Sequence, residues 1–396
     1  MAQRSAAPSP VEITEVRGLL GRLAFLAAAA ALRREAQFTP DLVPDFLHTT
    51  SPKNPFFRHA ETAFFLAKRG ARVVGRASAT VDRNANDYQK ESAAIFGHFE
   101  AADGDAEATA ALLAACEAFG RARKQTILRG PIDMSTNYRV GLLVEGHAFP
   151  PAIMMPWNPP GHAALLEGCG LVKAKDVVSM EVDRTAMVES RYAKLADRAR
   201  ERGGYQVRTF DLRRFDEEIA LVRSLYNASW ANNWGFVPVD LDEFAYEAKG
   251  LKQILDPNLG FFVEKGRKPL GFALSIPDAA IAIREVRGRL LPFGWWKLLR
   301  RIKTLDRMRT VLLGVLPEAR KSGIDAILYA ETTRRGMARG ILAGEFGWLL
   351  ENNDEIIRGI LACGARITRR YRIYERPIRP AIPTIEPLSG APRYRW

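Results

Sequence analysis

The residues best suited to chemistry by type and spacing lie late in the chain. Thr310-Val311-Leu312-Leu313-Gly314-Val315-Leu316-Pro317 has the pattern of a buried strand and runs into Glu318-Ala319-Arg320-Lys321-Ser322-Gly323-Ile324-Asp325, where a helix begins. A strand that passes through a basic glycine turn into a helix makes an anion site. The first N–H groups of the helix lack intrahelical partners, the macrodipole favours negative charge, and glycine lets a pyrophosphate approach the backbone closely. Val315, Leu316, Arg320, Lys321, Ser322, Gly323 and Ile324 are therefore the candidate phosphate and cofactor contacts. Asp325 is unfavourable beside a pyrophosphate unless it turns outward, where the same dipole favours a carboxylate. Taken alone, a turn of this composition is equally an ordinary surface turn.

Position along the chain narrows the alternatives. All five histidines (His48, His59, His98, His147, His162) fall in the first 162 residues, so later chemistry rests on carboxylates, tyrosines, amides and backbone groups. Cys116, Cys169 and Cys363 form no C-x-x-C pair, which predicts no metal or redox centre and a reduced, cytoplasmic setting. Lys plus Arg exceed Asp plus Glu by 58 to 45, a net charge of +13 that favours anionic partners: nucleic acid, an acidic carrier, a phosphorylated cofactor or an anionic membrane. The apolar run Leu23 to Leu32 is half the length of a membrane-spanning helix, about 20 residues. It lies behind Glu12 and Glu15 with no clear cleavage site, so neither a span nor a signal peptide is expected.

At 396 residues and 47% hydrophobic content the chain should form two to three globular domains at roughly 150 residues each. It repeats itself once. Phe64-Phe65-Leu66-Ala67, Gly70 and Val73-Val74-Gly75-Arg76-Ala77-Ser78 correspond to Phe261-Phe262-Val263-Glu264, Gly266 and Pro269-Leu270-Gly271-Phe272-Ala273-Leu274-Ser275, both reading as hairpins. Leu165-Leu166-Glu167-Gly168-Cys169-Gly170 corresponds to Ile360-Leu361-Ala362-Cys363-Gly364. The spacings Gly75 to Gly271 and Gly170 to Gly364 are 196 and 194 residues. A mixed α/β fold of two tandem domains is predicted: 1–178, 179–377 and a proline-punctuated tail over 378–396. In the second half strands are expected near 178–183, 259–265, 268–276, 310–316 and 343–350, and helices near 213–227, 239–255, 320–338 and 352–362.

The order Val315-x-Pro317-x-x-Arg320-x-x-Gly323, then helix, strand, Asn353 and Gly364, resembles the acyl-CoA motifs of the GNAT superfamily of acyltransferases. Phe96-Gly97-His98-Phe99-Glu100, Gly130-Pro131, Gly141 to Gly146, Trp234-Gly235-Phe236-Val237-Pro238 and Arg370-Tyr371-Arg372-Ile373-Tyr374-Glu375 extend the likeness from about Val11 to Pro377. Over that length the chain is similar to bacterial tandem-GNAT acyltransferases, of the kind that includes proposed bacterial ceramide synthases. The resemblance implies a splayed sheet, acyl-CoA as co-substrate where two strands part, and transfer of the acyl group to an amine, with Asn353 among the cofactor contacts. Two departures stand out. The motif ends in Asp325, and Ile360 stands where many GNAT enzymes carry an acid tyrosine seven residues after the asparagine. Tyr371 or Tyr374 is a substitute acid, or a core aromatic of the last strand. Glu345, inside the otherwise apolar strand Ala343 to Trp348, is the candidate base for the acceptor ammonium, or a carboxylate paired to an arginine. Backbone N–H groups near Val315 and Leu316 would polarise the thioester. The first half has no R-x-x-G after Glu100, so it reads as a degenerate copy that shapes the acceptor cleft.

Between the strands ending near Ile276 and starting near Thr310, the stretch 277–309 is an insertion. Trp295, Leu298, Leu299, Ile302 and Leu305 follow helical spacing while Lys297, Arg300, Arg301 and Lys303 take other faces, the composition of an interfacial helix or of one packed on its own domain. Trp230, Asn233 and Trp234, with Trp295, are candidate substrate contacts, and Met154 and Met155 line a greasy groove or fill the core. Together these features predict transfer of a fatty acyl group to a lipid amine, most specifically a sphingoid base, by a protein peripheral on the inner membrane through 290–305. Acyl carrier protein is an alternative donor, since a basic rim would steer it. The competing readings are a transferase acting on a soluble amine or using aminoacyl-tRNA, which no RNA-recognition motif supports, and a non-catalytic acyl-CoA or lipid binder.

Overall fold

Both hairpins of the repeat are present. β2 (Ala60–Arg69) and β3 (Arg72–Asp82) turn at Gly70 with φ 58°, and β9 (Gly260–Lys265) and β10 (Lys268–Pro277) turn at Gly266 with φ 63°. This left-handed backbone is where glycine carries no Cβ penalty. A computed structural model describes residues 9–183, 192–252 and 254–379. The remaining strands are β1 (Val11–Val16), β4 (Ala93–Ala101), β5 (Ile127–Gly130), β6 (Leu142–Glu145), β7 (Val172–Asp183), β8 (Tyr205–Thr209), β11 (Arg307–Val315), β12 (Ala343–Leu350) and β13 (Arg366–Pro377). They join in one 13-stranded mixed sheet in the order β1-β2-β3-β4-β5-β13-β7-β12-β11-β10-β9-β8, with β6 on β13 off this path.

The order makes the duplication visible. β1 to β5 run inward from one edge, and β8 to β12 run inward from the other. In each array the third and fourth strands are antiparallel and the fourth and fifth are parallel. The central strands cross between the halves: β7 pairs with β12, and β13 pairs with β5 and β7. The boundary expected at 178/179 thus falls inside the continuous strand β7. The expected tail lies outside the described residues from position 380 onward.

Helix positions follow the predicted pattern with shifted ends. The helix expected from 320 starts at Ile324, because residues Pro317–Ala319 form a 3-10 turn and Gly323 takes φ 86° at the N-cap. The one expected from 213 runs Phe215–Trp230, with Asp216, Glu217 and Glu218 in its first turn where the dipole favours acids. The helix expected over 239–255 runs Leu241–Leu251. Helix Tyr192–Gly203, absent from the expected elements, packs on helix Ile324–Ala338; a Cβ at Gly323 would lie 2.8 Å from that of Ala199.

Candidate active site

The parallel pairs in the two halves each part after a few residues, and the two gaps differ. β4 and β5 pair only at Ala93–Ile95 with Ile127–Arg129, and β11 and β12 only at Arg307–Thr310 with Ala343–Phe346. In the first half the chain closes its own gap. The Ile132 N–H donates to the Phe96 carbonyl at 2.8 Å, and the His98 N–H donates to Asp133 Oδ1 at 2.5 Å. A Cβ at Gly97 would lie 2.1 Å from the Ile132 oxygen, and one at Gly130 2.1 Å from the Phe96 oxygen. Both positions therefore require glycine for the backbones to meet. The helix that follows, Ala106–Ala122, begins at Asp105, which accepts from the Ala108 N–H and pairs with Arg69, so an acid already occupies its positive end.

In the second half the gap stays open. Trp230, Asn233, Thr310, Val311, Phe346, Gly347, Asn353 and Ile360 are among its walls. Asn353 sits at the N-cap of helix Asp354–Ala362 but its side chain makes no capping bond, which leaves the amide to the gap. Ile360 is buried and lines the gap, so the missing tyrosine is replaced by an apolar wall. At the start of helix Ile324–Ala338, Gly323 has no side-chain cap, Arg320 donates to the Ser229 carbonyl at 2.8 Å, and Lys321 and Asp325 are exposed. Asp325 thus turns outward. Ser322 Oγ donates to the Ala319 carbonyl at 2.7 Å and so stabilises the turn. Leu316 differs from expectation: its N–H donates to the Leu270 carbonyl at 2.8 Å and is committed to the sheet, not to a thioester.

Neither expected catalytic side chain reaches the gap. Glu345 is buried beneath Gly347, where Ser179 Oγ donates to its Oε1 at 2.5 Å and Arg309 Nε lies 3.2 Å from its Oε2. It is the arginine-paired carboxylate of the alternative reading. Arg309 also donates to the Gly347 carbonyl at 2.7 Å and to the Ile153 carbonyl, and it lines the adjoining cavity itself. Directly opposite Glu345 on β7, Glu181 is held by Arg369 at 2.6 Å and Arg307 at 2.9 Å. Tyr371 is fully buried among Leu143, Trp157 and Val177, outside the linings of gap and cavity, with burial pushing its pKa up. Tyr374 is likewise buried and donates to Glu167 at 3.0 Å. Both are core aromatics of β13.

Through Trp230, Asn233, Val311, Gly347 and Trp348 the gap continues into a cavity of about 240 Å³. Three of the four expected substrate contacts, Trp230, Asn233 and Trp234, line it, as does Met154, while Met155 is core. The first half contributes Thr136, Asn137 and Tyr138. Trp295 is elsewhere, on helix Gly294–Ile302 of the insertion. The apolar stripe of that helix divides. Leu298 and Ile302 pack with Leu305 on Ala282 and Ile283, whereas Trp295 (49% exposed), Trp296 (47%), Phe293 (70%) and Leu291 (83%) face outward. Sequence reasoning missed Arg309, a charge in a buried strand like Glu345, and Glu247, which reads as a solvated helix acid but lines the cavity.

Among the described residues no group of three or more His, Cys, Asp or Glu is arranged to hold a metal, and no helix is long and apolar enough to cross a membrane. The fold matches a tandem GNAT protein from the clavulanic acid biosynthesis pathway, with TM-score 0.55 and 13% identity over 94% of this chain and 100% of that one. It also matches a GCN5-related N-acetyltransferase from Sphaerobacter thermophilus, with TM-score 0.52 and 13% identity over 93% and 97%. No family model matches the chain. The architecture is that of tandem GNAT enzymes, and the protein is an N-acyltransferase. It is 35% identical to the bacterial ceramide synthase of Caulobacter vibrioides over 85% of this chain and 90% of that protein. It is 33% identical to protein YghO of Escherichia coli over 90% and 92%. The chain belongs to the family of these two proteins.

Proposed function

We propose that this protein transfers a fatty acyl group from acyl-CoA to the amine of a long-chain lipid, a sphingoid base being the best fit. The observation that carries this reading is the open gap between β11 and β12 and its continuation into the apolar cavity. At about 240 Å³ the cavity exceeds the ~150 Å³ apolar void that admits benzene, so an acetyl group alone would leave most of it empty. The uncapped helix start at Gly323, with Arg320 and Lys321 beside it, suits a pyrophosphate, which favours CoA over acyl carrier protein as donor. The self-filled gap of the first half supports a degenerate domain, over 1–178, that walls the acceptor side of the second, 179–377.

The outward Leu291, Phe293, Trp295 and Trp296, interleaved with Lys297, Arg300 and Lys303, fit an anionic membrane surface, and the protein is peripheral on the inner membrane in this reading. The likeness to the bacterial ceramide synthase of Caulobacter vibrioides agrees with a lipid acceptor. The test incubates purified protein with a long-chain acyl-CoA and a panel of sphingoid bases, soluble amines and aminoacyl-tRNA, with mass spectrometry of the products. The expected result is an amide of the sphingoid base that disappears in Arg320→Glu. Product from soluble amines or tRNA alone, or no binding of acyl-CoA, overturns the reading.

A further inference from the structure

A second cavity, of about 190 Å³, lies against the first and shares Asn137, Tyr138, Met154, Glu247 and Leu251 with it. Its walls are largely apolar but carry more charge than those of the first, with Asp41, Asp45, His48, Asp133 and Arg139 among them. Charge balance separates Glu247 from its neighbours apart from the exposed Asp45, which likewise forms no ion pair among the described residues. In the first cavity Arg309 faces Glu345, and Glu243 is 3.2 Å from His59. In the second, Arg139 is shared between Asp41 and Asp133 at 2.6 and 2.7 Å. Glu247 has only neutral partners: its Oε1 accepts from Asn54 Nδ2 at 2.9 Å and from the Tyr138 hydroxyl at 3.2 Å. No ion pair forms to either of its oxygens among the described residues. A carboxylate at the meeting point of two cavities, held only by neutral partners in a chain of net charge +13, is suited to a positively charged ligand.

We propose that Glu247 receives the ammonium of the acceptor. A long-chain amine then enters through the second cavity with its head at the junction, while the donor acyl group arrives through the strand gap on the other side. This inference rests on the acyltransfer reading above and adds to it the acceptor's head site. The bound ammonium passes one proton to a Glu247 oxygen: the N–H bond breaks, its electron pair stays on nitrogen, and a neutral amine and a carboxylic acid result. Burial, with the charges of Asp45 and Glu243, holds Glu247 up to about 7, which makes it a stronger proton acceptor for an ammonium of about 10 than an ordinary carboxylate, although the exchange stays uphill.

The test measures binding of a sphingoid base to the full-length protein by calorimetry, without donor, beside a matched long-chain alcohol and beside acyl-CoA. Glu247→Gln should weaken the amine by about 10- to 100-fold, remove its advantage over the alcohol, and leave acyl-CoA binding unchanged. Glu247→Asp should retain part of the preference for the amine. In the wild type, amine affinity should rise between pH 6 and 8 as Glu247 ionises, and Glu247→Gln should lose that rise. Asp45, His48, Glu243 with His59, Tyr138 and Arg139 also surround the site and stay intact in both variants. Undiminished amine preference in Glu247→Gln, with amide still formed at wild-type KM for the amine, overturns this inference while leaving the acyltransfer reading standing. Failure of the wild type to bind acyl-CoA overturns the acyltransfer reading instead.

Discussion

Removing Arg309 should show what Glu345 does. Arg309 Nε lies 3.2 Å from Glu345 Oε2, and the carboxylate is 1% exposed with Ser179 as its other partner. Arg309→Met leaves that charge buried with one hydroxyl, and breaking a buried pair in this way costs about 3–5 kcal/mol. Glu345→Gln should cost less, about 1–3 kcal/mol, because Arg309 keeps its bonds to the Ile153 and Gly347 carbonyls. The double variant removes both charges, so it should be more stable than the sum of the single losses by about 2 kcal/mol or more. Urea unfolding gives the cycle, and turnover measured on the same proteins gives a second readout. A positioning pair loses activity in either single variant and regains part of it in the double; a proton-accepting Glu345 would regain none. Additive stabilities with a cost below about 1 kcal/mol for Arg309→Met would refute the electrostatic argument.

His59 lies between Asp82 at 2.8 Å and Glu243 at 3.2 Å, joining β3 to the helix that walls the cavity, and these carboxylates outweigh its burial and raise it to about 9. A raised folded pKa means that its stabilisation, about 2–3 kcal/mol, is complete below about 6.5 and is lost as pH rises through 9. The urea midpoint should therefore fall between pH 7 and 10 in the wild type and fall less in His59→Gln; equal slopes would sink this account. At the insertion, Phe293→Glu with Trp296→Glu should abolish sedimentation with anionic vesicles while leaving turnover of a detergent-dispersed acceptor intact. Unchanged sedimentation would assign the exposed aromatics another role.

The repeat, the hairpins and most strand positions of the second half were legible because apolar alternation and glycine turns are local properties, whereas the edge strand β8 was not expected. The exchange of β7 and β13 was not, since Val177 pairing with Leu350 and Tyr374 with Gly130 are contacts between distant segments. The strand–turn–helix at 310–325 was legible as an anion site, and Asp325 takes the outward orientation that the dipole argument allowed. Glu345 was singled out correctly as a costly buried charge. Its arginine was overlooked because register across a parallel pair is set by tertiary packing, where Arg309 meets Glu345. Trp295 misled because helical spacing alone does not say which of two apolar stripes, Leu298 with Ile302 or Trp295 with Trp296, faces the core. Glu247 looks like any acid on an amphipathic helix until Asn54 and Tyr138 of the first half close over it.

The central claim is that the gap between β11 and β12 admits a long acyl chain into the adjoining cavity. Val311 lines both spaces, so Val311→Trp should obstruct the passage. The decisive measurement is the ratio of kcat/KM for a long-chain acyl-CoA to that for acetyl-CoA, in wild type and in Val311→Trp. Each buried CH₂ is worth about 0.8 kcal/mol, so losing even three or four of them should lower that ratio by about 50- to 200-fold. A ratio that stays unchanged would contradict the placement of the acyl chain in this cavity.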